Sequence, residues 1–116
     1  GHAVGDIALK SISGIILDSL RKSDVLARFG GDEFAVIVPE HSSNAIAATA
    51  QRLLSAVEKS EITADGSRIS TSVSIGAAWL SPQSRCSSNE IIRIADANLY
   101  KAKQNGRNRV ELEMLE

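Results

Sequence analysis

Two adjacent carboxylates follow two adjacent glycines in the stretch RFGGDEFAVIV, residues 28–38. Glycine and aspartate favour turns, so a plain hairpin tip accounts for Gly30, Gly31 and Asp32. It does not account for Glu33, because neighbouring carboxylates repel each other. A hard divalent cation such as Mg²⁺ would relieve that repulsion and often bridges carboxylates to phosphates. Since glycines also let a phosphate approach the backbone closely, the stretch indicates a metal and phosphate site on a hairpin tip.

Three segments carry apolar residues at the spacing of a helix. The first covers residues 4–22, and the second follows Ser42 or Ser43 and runs to about residue 59. The third begins with the S-x-x-E capping box at residues 87–90 and ends near Gly106. The side chains expected to face the core are Leu9, Ile12, Ile16, Leu20, Ile46, Ala50, Leu53, Val57, Ile91, Ile94, Ala95, Leu99 and Ala102.

The remaining segments predict strands. Residues 24–29 and 34–38 form a hairpin around the GGDE tip, and residues 62–64 and 68–79 form a second hairpin across Asp65-Gly66. Residues 110–112 can form a last strand. Because strands and helices are mixed without strict alternation, we predict an α+β fold with an antiparallel central β-sheet flanked by helices.

The composition narrows the class of protein. A length of 116 residues suits one compact domain, residues 1–116. A net charge of -1 and an aromatic fraction of 3% argue against nucleic-acid binding. No apolar run approaches the length of a membrane span, so we expect the chain itself not to enter a membrane. Cys86 is the single cysteine, which fits a reducing compartment.

Residues 30–34 read GGDEF, and residues 1–6 read GHAVGD. These motifs resemble the signature and the GHxxGD segment of one family, the GGDEF domains of diguanylate cyclases. Residues 21–24 form an RxxD that is separated from the signature by five residues, and residues 72–76 resemble the VSIG strand. Residues 95–110 look like the closing segment ADxALYxAKxxGRNxV. The resemblance covers the chain to about Val110 and implies a palm-like, nucleotide-cyclase fold of ferredoxin-like type.

The resemblance also implies an activity. GGDEF domains condense two GTP molecules into cyclic di-GMP and release two pyrophosphates. Each domain of a homodimer holds one GTP, and the 3′-hydroxyl of one attacks the α-phosphate of the other. Carried over to this sequence, Asp32 would bind metal and act as the base, and Glu33 would complete the acidic pair at Mg²⁺ (or Mn²⁺). Gly30 and Gly31 would lie close to the phosphates.

Four further residues match substrate-binding positions of the family. His2 and Asp6 would contact the guanine nucleotide, and Asp6 can accept hydrogen bonds from guanine N1–H and the amino group. Lys103 and Arg107 would contact the phosphates, Arg107 through a forked contact. The alternatives are an acid in the first turn of a helix for Asp6 and solvated cations near a helix C-terminus for Lys103 and Arg107.

Arg21 and Asp24 match the inhibitory site of the family, where the product cyclic di-GMP binds and restrains the enzyme. The alternative is a salt bridge between a helix end and a strand start. Arg52 falls where the family often supplies another arginine to this site, although an arginine on an exposed helix face needs no special explanation.

The chain contains no DxDxFKxxND segment, which precedes the GH motif in complete GGDEF domains on a strand and a short helix. That segment supplies a metal-binding aspartate, a phosphate-contacting lysine and an asparagine that reads guanine. We therefore expect a GGDEF domain that is incomplete at its N-terminus and lacks its first strand and helix. The parent protein would be a diguanylate cyclase, whereas the chain alone would be inactive and would swap, dimerise or aggregate.

Two other functions stay open. A non-catalytic GGDEF domain could bind GTP or cyclic di-GMP as a sensor, although such domains usually lose an acid from the signature. A structural or dimerising module is the other alternative. We expect a cytoplasmic location, with any sensor domain or tether to the inner face of the membrane lying elsewhere in the parent protein.

Overall fold

The computed structural model describes residues 2–28, 33–39, 42–64, 66–69, 71–81 and 83–115, with the side chains of all of these except 2–4, 28 and 113–115. Helices and strands alternate irregularly within these ranges, as the α+β prediction requires. Their order is α1 (His2–Ser19), β1 (Val25–Arg28), β2 (Phe34–Ile37), α2 (Ser43–Glu58), β3 (Ile62–Ala64), β4 (Ser67–Ile69), β5 (Ile75–Leu80), α3 (Ser88–Gln104) and β6 (Val110–Leu115).

The elements form two compact units. The first unit comprises residues 1–39 and 55–71, and the second comprises residues 40–54 and 72–116. Helix α2 contributes its last turn to the first unit and the rest to the second. Within the described ranges the strands pair two by two, β1 with β2, β3 with β4 and β5 with β6.

The first unit is built on two antiparallel hairpins and α1. Strands β1 and β2 pair with Val25 opposite Ile37 and Leu26 opposite Val36, which confirms the hairpin predicted around the signature. Helix α1 contacts β3. Burying a valine or isoleucine side chain contributes roughly 1.5–3 kcal/mol. The buried side chains of this unit are Ile12, Ile16, Val57, Ile62 and Ala64.

The strand predicted over residues 68–79 is divided in the structure. Strand β4 ends at Ile69, residues 71–74 have no regular structure, and β5 begins at Ile75. The break follows from the register, since Ile69 pairs with Ile62, the first residue of the three-residue strand β3. Beyond Ile69 the hairpin ladder has no further partner residue in β3.

The second unit is a strand–helix–strand arrangement. Strands β5 and β6 run parallel, with Ile75 opposite Val110 and Leu80 opposite Leu115. The antiparallel pairing predicted for the central sheet holds for the two hairpins, whereas β5 and β6 are parallel because α3 crosses over between them and such a crossover returns the chain in the same direction. Strand β6 also runs to Leu115, three residues beyond the predicted end.

Helix α3 lies very close to β5. A Cβ atom added to Gly76 would overlap the Leu99 backbone nitrogen and the Ala95 carbonyl oxygen, so only glycine fits at this point. One residue further along β5, the Asn98 side chain donates a hydrogen bond from Nδ2 to the Ala77 carbonyl oxygen at 2.9 Å. Asn98 is only 4% exposed. The middle of α3 is therefore fixed to β5 by close packing and by a buried hydrogen bond.

The helix starts follow the predicted capping residues. Ser42 Oγ accepts a hydrogen bond from the Ala45 N–H, so Ser42 rather than Ser43 is the cap of α2. Ser87 Oγ accepts from the Glu90 N–H at 3.2 Å, as the capping box predicts. Each cap contributes about 1 kcal/mol. Helix α1 ends at Ser19, three residues before the predicted end. No helix in the described ranges is both long and apolar enough to cross a membrane.

Candidate functional site

A groove of about 570 Å³ lies in the first unit between α1 and the β1–β2 hairpin. Leu9, Leu26 and Phe34 supply its apolar wall. Leu26 and Phe34 are two register positions apart on the paired strands, so both side chains project from the same face of the hairpin. The volume lies in the range typical of small-molecule sites.

Polar groups on successive turns of α1 complete the lining of the groove. They are Asp6, Lys10 and Ser13, and both Asp6 and Lys10 are exposed. Because α1 begins at His2, Asp6 lies beyond its first turn, which contains no acid. The alternative of Asp6 as a first-turn acid is therefore wrong for this helix. The groove offers an apolar wall and a free carboxylate, a combination suited to a flat ring with hydrogen-bond donors on its edge.

The structure describes one of the two signature acids, Glu33. Glu33 is half-buried and directly precedes Phe34, which lines the groove. Gly30, Gly31 and Asp32 lie outside the described residues, so their predicted roles stay predictions. His2 opens α1, but its side chain also lies outside the described part. Among the residues that the structure describes, no group of three or more His, Cys, Asp or Glu side chains could hold a metal ion.

Arg21 and Asp24 close the turn between α1 and β1. The Arg21 N–H donates to Asp24 Oδ2 at 2.8 Å, and the Asp24 N–H donates to the Arg21 carbonyl at 3.0 Å. The Arg21 Nε lies 3.8 Å from the same carboxylate oxygen. The Asp24 side chain is 0% exposed, whereas that of Arg21 is 55% exposed. The salt bridge that the alternative interpretation requires is thus present.

The burial of Asp24 bears on the inhibitory-site prediction. Its Oδ1 atom is buried without a hydrogen-bond partner in the described structure, and the side chain presents no surface to a ligand. Arg21 is exposed enough to contact one directly. Arg52 is exposed on α2 in the second unit, as the helix-face interpretation predicts.

The second unit presents Lys103 and Arg107 at the end of α3. Lys103 is half-buried in the last helical turn, where a cation also stabilises the helix dipole. The helix closes at Asn105, and the Arg107 N–H donates to the Ala102 carbonyl at 2.9 Å, the long bond of a Schellman motif. Gly106 has a φ of 118°, as expected of the residue that ends a helix. Arg107 is exposed in the turn that follows.

Sequence reasoning missed three residues at these sites. Lys10 was overlooked because one exposed lysine on a helix carries no distinctive signal. Asn98 sits three residues after Ala95 and four before Ala102, so a polar residue inside a predicted apolar stripe was the available signal. Arg109, whose Nε donates a hydrogen bond to the Arg107 carbonyl oxygen, occupies the variable position of the GRNxV motif, and this contact depends on a turn conformation that spacing does not reveal.

Comparison with known proteins shows which family the chain resembles. The family model described as "Diguanylate cyclase, GGDEF domain" matches residues 1–109. Diguanylate cyclase A of Treponema denticola is 42% identical over 112 residues, which make up 97% of this chain and 30% of that protein. Diguanylate cyclase DosC of Escherichia coli K12 is 44% identical over 113 residues, 97% of this chain and 24% of DosC. The chain thus spans less than a third of either relative.

Solved structures agree with the fold. The GGDEF domain of YfiN (TpbB) from Pseudomonas aeruginosa superposes with a TM-score of 0.87 at 36% identity and covers 97% of this chain, which spans 65% of the other. The GGDEF domain of DgcB from Caulobacter crescentus, solved in complex with c-di-GMP, superposes with the same TM-score at 29% identity, covering 97% of this chain and 66% of its own. With its family model matched over nearly its whole length, the chain is a member of the GGDEF-domain family.

Proposed function

We propose that the protein containing this chain is a diguanylate cyclase, which condenses two GTP molecules into cyclic di-GMP and releases two pyrophosphates. The observation that carries the proposal is the α1 groove, where a carboxylate stands beside an apolar wall. Guanine is a flat ring whose N1–H and amino group both donate, so Asp6 can accept from both. Adenine lacks that pair of donors in the same arrangement.

Two cationic side chains of the second unit, the half-buried Lys103 and the exposed Arg107, would bind the phosphates of GTP. Arg107 can make a forked contact with phosphate oxygens, and Lys103 adds a point charge. In the reaction the 3′-hydroxyl of one GTP loses its proton and forms a bond to the α-phosphorus of the other, while the bond to pyrophosphate breaks. We propose that Asp32 accepts that proton and that two domains, as a homodimer, each present one GTP.

The carboxylate oxygens of the two signature acids are suitable ligands for a divalent cation. Mg²⁺ prefers carboxylate oxygens, and Glu33, the last residue of the predicted GGDE tip, is half-buried. We propose that Asp32 and Glu33 would hold Mg²⁺ or Mn²⁺, which when bound neutralises phosphate charge. The 116 residues contain no DxDxFKxxND segment, and we propose that they make no cyclic di-GMP when assayed alone.

Product inhibition through the RxxD site is a further proposal, with unequal roles for its two residues. Arg21 would contact cyclic di-GMP, since its side chain is exposed. Asp24 would first have to leave its buried position in the turn, so we propose that it supports the site mainly by holding the backbone of Arg21.

The experiment compares Asp6→Ala with Asp18→Ala in the parent protein. Both acids are exposed on α1, but Asp18 does not line the groove. We expect Asp6→Ala to raise the KM for GTP about tenfold or more, because a hydrogen bond to a charged group contributes roughly 1.5–3 kcal/mol. Asp18→Ala should leave KM unchanged. An equal KM for GTP in both variants would show that the groove does not bind guanine. If the wild type binds GTP without turning it over, the sensor alternative is favoured.

A further inference from the structure

Three successive residues after α3 adopt the left-handed backbone region. Their φ angles are 118° for Gly106, 62° for Arg107 and 47° for Asn108. Glycine reaches this region without cost, but arginine and asparagine do not. Non-glycine residues stay in such conformations only where the surroundings hold them, and they concentrate at binding sites. The conformation of Arg107 therefore needs a structural cause.

Arg109 supplies the contacts that hold this turn. Its Nε donates a hydrogen bond to the Arg107 carbonyl oxygen at 3.2 Å. Its guanidinium also covers Gly106, since a Cβ added to that glycine would lie 2.9 Å from the Arg109 Nη2 atom. One side chain thus contacts both the first residue of the turn and the backbone of the second.

The base of the turn is fixed independently. Asn105 Nδ2 donates to Glu111 Oε1 at 3.1 Å, which links the helix end to β6. The Arg109 carbonyl oxygen accepts from the Ile75 N–H at 2.9 Å, which anchors the backbone of Arg109 to β5. Because its own backbone is anchored in this way, the Arg109 side chain can act on Arg107 from a fixed position.

We propose that Arg109 is a positioning residue for Arg107, which it holds in the left-handed conformation that presents the Arg107 guanidinium to a nucleotide phosphate. The inference rests on the proposed function of Arg107. Arginine suits the role because it combines a donor at Nε with a flat group that lies against Gly106. Lysine has the same charge but neither feature.

The test uses the parent protein and four variants, Arg107→Ala, Arg109→Ala, the double variant and Arg109→Lys. Arg93→Ala is the matched control, because Arg93 is an exposed arginine on α3 far in sequence from the turn. Affinity for a non-hydrolysable GTP analogue is measured by isothermal titration, together with KM and kcat for GTP. Thermal unfolding checks that each variant folds.

We expect Arg109→Ala to weaken binding of the analogue about fivefold to tenfold, with kcat changed much less than KM. The double variant should bind as weakly as Arg107→Ala alone, to within about twofold, because residues that act through one another are not additive. Arg109→Lys should lose as much affinity for the analogue as Arg109→Ala. If the alanine variant does not fold, the lysine variant replaces it in the test. Arg93→Ala should bind like the wild type.

Additive losses in the double variant would overturn the inference, because Arg109 would then act on the nucleotide separately. Restored affinity in Arg109→Lys would also overturn it, since charge alone would suffice. Unchanged affinity in Arg109→Ala, with a loss in Arg107→Ala, would overturn the inference while leaving the proposed function intact. Unchanged affinity in Arg107→Ala would contradict the proposed phosphate contact itself, and the inference would fall with it.

Discussion

The two units present their candidate binding residues on different kinds of support. In the first unit Asp6 projects from a helix beside an open groove, and neither glycine of that helix, Gly5 or Gly14, has an atom near the position of a Cβ. In the second unit Lys103 lies in the last turn of α3 and Arg107 lies just after it. This helix packs so closely on β5 that Gly76 admits no side chain. The guanine contact proposed for the first unit would thus depend on one carboxylate and an apolar wall, whereas the phosphate contact proposed for the second would depend on a backbone held in one conformation.

The same substitution in the two units should have opposite effects on stability, and this is the largest expected difference. Gly76→Ala would drive a Cβ into backbone atoms of α3, which cannot move as a side chain can. We expect a loss of about 3 kcal/mol or more in the free energy of unfolding. Gly14→Ala should instead gain about 0.5–1 kcal/mol, because alanine is the better helix former and the space is open. Urea denaturation measures both, and equal effects would contradict the contrast.

A smaller difference is expected within the RxxD turn. Asp24→Ala removes the acceptor of the Arg21 N–H, and we expect a loss of about 1–2 kcal/mol. Arg21→Ala removes a guanidinium that is 55% exposed but keeps the backbone N–H that donates to Asp24, so we expect a smaller loss of about 1 kcal/mol or less. Thermal unfolding separates them. Arg21→Ala is therefore the cleaner variant for testing inhibition by cyclic di-GMP, and a stable Asp24→Ala protein would show that the buried carboxylate does not hold the turn.

The smallest effect concerns the start of α3. Partial burial, and then the Glu90 carboxylate, raise the pKa of the Cys86 thiol, whose Sγ lies 3.8 Å from Glu90 Oε2. A raised pKa leaves less thiolate at a given pH, so alkylation by iodoacetamide at pH 8 should be slower than for an unperturbed thiol. Glu90→Gln should lower that pKa and speed the reaction by no more than about threefold, because salt and solvent screen exposed charges. Mass spectrometry follows the rate, and a slower reaction in Glu90→Gln would contradict the sign.

Local patterns predicted what depends on local chemistry. The three helices, the caps at Ser42 and Ser87 and the hairpin of β1 and β2 were predicted because spacing and turn residues determine them. The parallel pairing of β5 with β6 and the break after Ile69 depend on which strands meet, which periodicity does not specify.

The candidate site divides in the same way. The resemblance of the motifs to those of the GGDEF family led to Asp6, Lys103 and Arg107, and the structure places Asp6 in a groove. The sequence does not predict that the Asp24 side chain is buried or that Arg109 Nε donates to the Arg107 carbonyl oxygen. Both features depend on side-chain contacts that form only in the folded chain.

The most direct test of the account is product formation by the purified parent protein. Incubated with GTP and Mg²⁺, it should yield cyclic di-GMP and pyrophosphate in a ratio of one to two, measured by liquid chromatography and a pyrophosphate-release assay. ATP in place of GTP should give no cyclic dinucleotide. GTP that binds but remains unchanged, in a protein that carries the complete signature and folds normally, would contradict the assignment of catalysis to this family member.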